Sequence, residues 1–180
     1  PDCEVPISAQ SVDAITAQVI KRHRGKQIHL HAPLIVDRKG YYTDLAKWAL
    51  NKGFETLRVD GKALPTANWP RLDRFKEHTI DLPVASITVD VRHEAELQAL
   101  IQRAIDFGSG VVKIGTATGR EKLFSTQRAC PSCQRSFAEL DPRMFSYNSR
   151  HGWCPECFGT GEIIPGFDES RPARSAVGPV

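Results

Sequence analysis

The chain has 180 residues, 41% of them apolar, with 24 Lys and Arg against 21 Asp and Glu for a formal net charge of +3. That is enough to bury the core of one domain plus a small module. The near balance of charge excludes binding driven by a massively basic surface, and the absence of any apolar run of about 18 residues excludes a membrane-spanning helix. No signal-peptide pattern opens the chain, and paired cysteines without one fit a reducing cytoplasm.

Pro1-Asp2-Cys3 at the start and a loose GFDESRPARSAVGPV at the end read as a stretch cut from something longer. Cys3 stands alone, either a stranded ligand or a buried thiol. Ser8 or Ser11 caps a helix whose apolar stripe is Val12, Ile15, Val19 and Ile20, at helical spacing. Ile28, Leu30, Ala32, Leu34 and Val36 alternate with His29 and His31, which predicts a half-buried strand with the two histidines on its exposed side. Asp37-Arg38-Lys39-Gly40 reads as a charged turn, and Thr43 as the cap of a helix reaching Lys52. Phe54–Val59 reads as a strand and Asp60-Gly61 as a hairpin turn, followed by a loop over 65–76.

His78 to Asp90 predicts a long strand in which Pro83 demands an edge position or a bulge. Glu94 to Asp106 is the clearest helix, with Leu97, Leu100, Ile101, Ala104 and Ile105 on one face. Short strands follow at 111–114 and 122–125. The fold class expected is α+β: a mixed or antiparallel sheet with helices packed on one side. It divides into a helical lead-in (1–26), an α+β body (27–126), a cysteine module (127–162) and a flexible tail (163–180).

That module holds CPSC and CPECFGTG, two Cys-x-x-Cys pairs formed by Cys130, Cys133, Cys154 and Cys157. Two-residue spacing turns both thiolates of a knuckle toward one metal, so the expectation is a structural zinc site with four cysteine ligands. No GxxxxGK[ST] loop, GxSxG elbow or HExxH helix is present, and Asp81, Asp90 and Asp106 read as scattered surface carboxylates. The chain is therefore expected to bind rather than catalyse.

Several strings resemble the UvrA family, the damage-sensing ATPase subunits of the bacterial excinuclease. They are SAQSV at 8–12, APLI at 32–35 with Arg38-Lys39-Gly40, RVDG at 58–61, KEHTI at 76–80, LFS at 123–125 and, most specific, ELDPRMFSYN at 139–148. The resemblance implies nucleotide excision repair, a body that docks UvrB, and zinc ligation by the four cysteines one for one. It also implies that ATP and DNA belong to the full-length parent, a homodimer, while this stretch is compatible with a monomer.

Gln134 and Phe158 depart from the family pattern, which leaves a divergent UvrA paralogue without UvrB docking as an alternative. The charged candidates for docking, taken as exposed, are Arg38, Lys39, Arg58, Asp60, Arg71 and Lys76. A competing reading has the cysteine module touch DNA through Arg143, Arg150 and His151 beside Phe145, Tyr147 and Trp153. Its plain counterpart is that these aromatics wrap the metal site, or that the module serves as a hinge.

Overall fold

The computed structural model describes residues 4, 7–117, 121–130, 133, 135–137, 140–146, 149–154, 157 and 162. Cys3, Tyr147 and the 163–180 tail lie outside them. The chain divides into two units, residues 1–138 and 139–180.

The first unit is built on one sheet. Its elements are α1 (Val12–His23), β1 (Gln27–Lys39), α2 (Thr43–Asn51), β2 (Thr56–Val59), β3 (Lys62–Pro65), β4 (Glu77–Thr88), α3 (Glu94–Phe107), β5 (Val111–Gly115) and β6 (Lys122–Ser125). The strand order is β3-β2-β4-β1-β5-β6, and every pairing is antiparallel. Alternation decides the two faces. Ile28, Leu30, Ala32, Leu57, Val59, Ile80, Leu82, Val112 and Ile114 are buried on the side that receives the helices. Their alternates, His29, His31, Arg58, Asp81 and Lys113, point to the other side.

Ile15 and Val19 of α1 and Leu97, Ile101 and Ala104 of α3 pack together over β1, β5 and β6. Ala46 and Ala49 of α2 pack over β2 and β4, with Phe107 meeting Trp48 and Phe54 edge to face. Ser11 is the α1 cap, its hydroxyl accepting from the Ala14 N–H at 3.2 Å. The helix predicted at Glu94 and the two short strands after it stand where expected. Asp60 and Gly61 form the hairpin turn with φ of 50° and 83°, the doubly left-handed geometry that two-residue hairpins favour.

Three local expectations need correction, and a fourth resolves between its alternatives. Arg38 and Lys39 are in β1, paired with His78 and Glu77, because irregular register at Pro33/Ile35 and Ile35/Arg38 absorbs the extra residues and lets the ladder run on. Asp37, with φ of 47°, marks that irregularity. Of the two alternatives expected for Pro83, an edge position or a bulge, the structure shows the bulge. The proline's missing N–H is tolerated beside it, where Leu30 pairs with Ala85 and His31 with Pro83. Tyr42, left-handed at φ 55°, occupies the cap position before α2 in place of Thr43, and no side chain caps that end. Finally, Asp81 is not a surface carboxylate but a buried one, 3% exposed.

In the second unit, Pro142–Phe145 and Arg150–Gly152 form short 3-10 turns. Asp141 starts the first, its carboxylate accepting from the Arg143 N–H at 3.0 Å. Leu140, Met144 and Phe145 are exposed, Phe145 at 75%. The expectation that Phe145 wraps a small core does not hold.

Candidate partner-binding face and metal ligands

The face of the sheet opposite the described helices carries an ionic network. Strand order makes it: β2, β4, β1 and β5 lie side by side, so one outward residue from each meets at the centre. Asp81 of β4 lies between two cations, its Oδ2 accepting from Arg58 Nη2 at 2.7 Å and its Oδ1 from Lys113 Nζ at 2.7 Å. Arg58 also donates to both oxygens of Glu121, at 2.5 and 2.7 Å. The pairing is bidentate, the geometry in which a guanidinium binds a carboxylate best. Two cations thus face two carboxylates, with Asp81 the most deeply buried of the four.

His31 closes the network on the β1 side. Its Nδ1 lies 3.2 Å from Glu121 Oε1 without making a hydrogen bond. Burial, reinforced by the nearby Arg58 charge, pushes its pKa down. The Glu121 carboxyl is held below its usual range chiefly by the hydrogen bonds from Arg58, against the opposing effect of burial. The Arg58 Nε is buried without a partner. Neighbouring His29 is half-buried, with Nδ1 2.7 Å from the Ser86 hydroxyl.

The docking candidates therefore separate. Arg58 is not an exposed charge, its side chain being 21% accessible and bound on two sides. Arg38, Lys39, Asp60 and Lys76 gather at one end of the sheet, where Arg38 pairs with His78 and the Asp60 N–H donates to the Thr79 carbonyl. Partial burial raises the Asp60 pKa, but the Thr79 N–H at 2.9 Å and His78 Nδ1 at 2.8 Å outweigh that and lower it overall. Lys76 Nζ is 3.9 Å from the same carboxylate and stays 66% accessible. Arg71 stands further off, stacked 5.2 Å over the Tyr41 ring and donating to its hydroxyl at 3.2 Å. Tyr41, Thr43, Trp69, Pro70 and Arg71 line a depression of about 300 Å³ there.

None of the four cysteines of the two pairs is in a disulfide. In the first unit, Cys130 is buried and begins a tight reversal. Its N–H donates to the Arg135 carbonyl at 2.8 Å, and Ala129 bridges Ser136. Cys133 sits exposed inside that reversal. Cys154, exposed, and Cys157, half-buried, belong to the second unit. Among the described residues no group of three or more His, Cys, Asp or Glu is assembled for a metal. Arg143, offered above as a nucleic-acid contact, donates to Asp141 from Nε at 3.0 Å and from Nη2 at 2.8 Å, and its Nη1 is 2.9 Å from His151 Nε2. Arg150 opens the second turn.

Sequence reasoning missed Glu121, Lys113 and Asp81 as parts of a site. Only Arg58 carried a signal, through its place in the RVDG string.

These features define an α+β module whose single antiparallel sheet is covered by helices on one face and presents a charged network on the other. The chain belongs to the UvrA interaction domain family, whose model matches residues 10–118. It is 34% identical to UvrABC system protein A of Aquifex aeolicus over 183 residues, covering 98% of this chain and 20% of the relative. The corresponding protein of Staphylococcus aureus is 35% identical over 164 residues (91% and 17%). That of Streptomyces coelicolor is 34% identical over 184 residues (94% and 18%). The chain spans about a fifth of the length of these curated relatives.

Proposed function

We propose that this chain is the partner-docking module of a UvrABC-type damage-recognition subunit, acting in nucleotide excision repair by binding UvrB. The observation that carries this is the interaction-domain match over 10–118, which takes in five of the six strands and Arg58, Asp81 and Lys113 of the charged face. Docking is polar: cations at the end of the sheet attract the partner, and Arg58 offers a guanidinium at the centre of the open face. The module binds, while ATP hydrolysis and damaged DNA are matters for the rest of the parent protein.

A structural zinc held by Cys130, Cys133, Cys154 and Cys157 completes this reading. The absence of disulfides at these cysteines and the Ala129–Ser136 bridge beside Cys130 support that metal, which would supply cohesion and no reaction step. The test of docking is capture of UvrB by the purified chain, repeated with Arg38→Glu combined with Arg58→Gln. Capture by the wild type and its loss in the variant are expected. Undiminished capture by the folded variant removes these residues from the account, and no capture by the wild type overturns the proposal.

A second reading, DNA contact by the cysteine module, is favoured by the exposure of Phe145 two residues from Arg143. Duplex binding that weakens steeply with salt supports it, and a flat or absent response removes it.

A further inference from the structure

The residue that holds Arg58 is as informative as Arg58 itself. Glu121 is outside the strand ladder: the last β5–β6 pair is Ile114 with Lys122, and Glu121 precedes it. Its carboxylate nevertheless reaches across the sheet to the guanidinium of a strand 63 residues away in sequence. Gly115 makes room for that reach. A Cβ at 115 would stand 2.8 Å from Glu121 Cγ, closer than carbon atoms tolerate, and in tight contact with its Cα at 3.1 Å. Gly115 pairs with His29 in the ladder, so β5 offers a bare strip of backbone at the place where Glu121 crosses.

The two carboxylates on Arg58 differ in how they are held. Asp81 is 5% accessible, fixed in the middle of β4 and shared with Lys113. Glu121 is 31% accessible, faces Arg58 in a bidentate fork and lies against the unpartnered Nδ1 of His31. Exchanging Asp81 would expose a buried charge. Exchanging Glu121 for another carboxylate leaves the charge balance as it was, with the guanidinium already stripped of most of its water.

We propose that Glu121 is an internal stand-in for a carboxylate of the docking partner: it occupies Arg58 in the free module and is displaced by an Asp or Glu side chain when the partner binds. This rests on the reading that Arg58 belongs to the docking face. The free module then keeps its central cation neutralised, and every partner must compete with Glu121. Glu121 sets the threshold of affinity without touching the partner.

Titration calorimetry of the chain with UvrB tests this with three variants. Glu121→Gln removes the competing charge, and Gly115→Ala pushes Glu121 off while leaving every charge in place. Each is expected to tighten binding about five- to tenfold, the equivalent of one half-buried ion pair at about 1 kcal/mol or slightly more. Placed on an Arg58→Gln background, neither should change affinity, because the contested cation is gone. Thermal melts identify any variant that has not folded, and Gly115→Ala keeps the test open should Glu121→Gln misfold. Weaker or unchanged binding by both single variants, with Arg58→Gln itself weakened, overturns the stand-in role while leaving the docking reading intact. Full affinity in Arg58→Gln overturns the stand-in role and removes Arg58 from the docking face, whereas no binding by the wild type overturns the docking reading itself.

Discussion

Replacing Asp81 with Asn tests the open-face network at its most buried point. The carboxylate accepts from Arg58 and Lys113, each at 2.7 Å, and is 5% accessible. An amide of the same shape keeps the volume but removes the charge, leaving two cations to share Glu121. Breaking a fully buried pair in this way costs about 3–5 kcal/mol. Here Arg58 and Lys113 retain 21% and 20% accessibility, so water offsets part of that loss, and about 2–3 kcal/mol is expected. For a body of this size the melting temperature should fall by about 10 °C. Urea unfolding followed by circular dichroism gives the free energy. Adding Lys113→Met to Asp81→Asn should recover a good part of the loss, because the surplus cation goes. A loss below about 0.5 kcal/mol, or a double variant no more stable than Asp81→Asn, would show that the network is a surface arrangement of little energetic weight.

Three further outcomes are expected. The pKa of His31 is below its free value of 6.5 in the folded chain, so the unfolded chain takes up its proton first as pH falls. Stability is therefore full above that value and drops as pH falls below it. His23, lowered by burial and by Lys26, acts in the same direction, so His31→Gln should flatten but not abolish the decline in melting temperature, and an unaltered profile refutes the assignment. Gly108→Ala sets a Cβ against the Val111 carbonyl oxygen and 3.1 Å from Pro33 Cδ, which forces backbone to move and should cost about 2–3 kcal/mol in the same urea assay. The purified chain should carry about one zinc by elemental analysis, and Cys130→Ser should lose it while the helix signal of the sheet body persists. Undiminished zinc in that variant removes Cys130 as a ligand.

Signals confined to a few neighbouring residues were legible in the sequence. Asp60-Gly61 requires two left-handed residues between two apolar runs, and nothing beyond the turn is needed to see it. The α3 stripe of Leu97, Ile101 and Ala104 is equally local. Misreadings arose where the chain departs from a strict period. Arg38 and Lys39 look like a turn because Asp-Arg-Lys-Gly is turn chemistry, yet β4 pairs with them past an irregular stretch that no local pattern marks. The cap before α2 was assigned to Thr43 on propensity, whereas Tyr42 takes the position in a left-handed conformation. Its hydroxyl donates to the Arg38 carbonyl at 2.8 Å, and its ring lies over Gly40, contacts that hold that turn.

The site was less legible for a related reason. Asp81 alternates with Ile80 and Leu82, so its side of the strand is correctly read as the outer one, and an outer carboxylate is read as solvated. What buries it comes from elsewhere in the chain: Arg58 is 23 residues before it and Lys113 is 32 after it. Only the strand order β2-β4-β1-β5 places those charges around one point. The same order divides the candidate docking residues by physics. Arg38, Lys39 and Lys76 are exposed charges at the end of the sheet, whose pull on a partner reaches about 10 Å and fades with salt. Arg58 is neutralised at close range by Asp81 and Glu121, and contributes almost nothing at a distance. Under the proposed docking, a partner would be steered by the first group, which would govern the rate of encounter, and retained by the second, where a contact formed out of water would govern the rate of release.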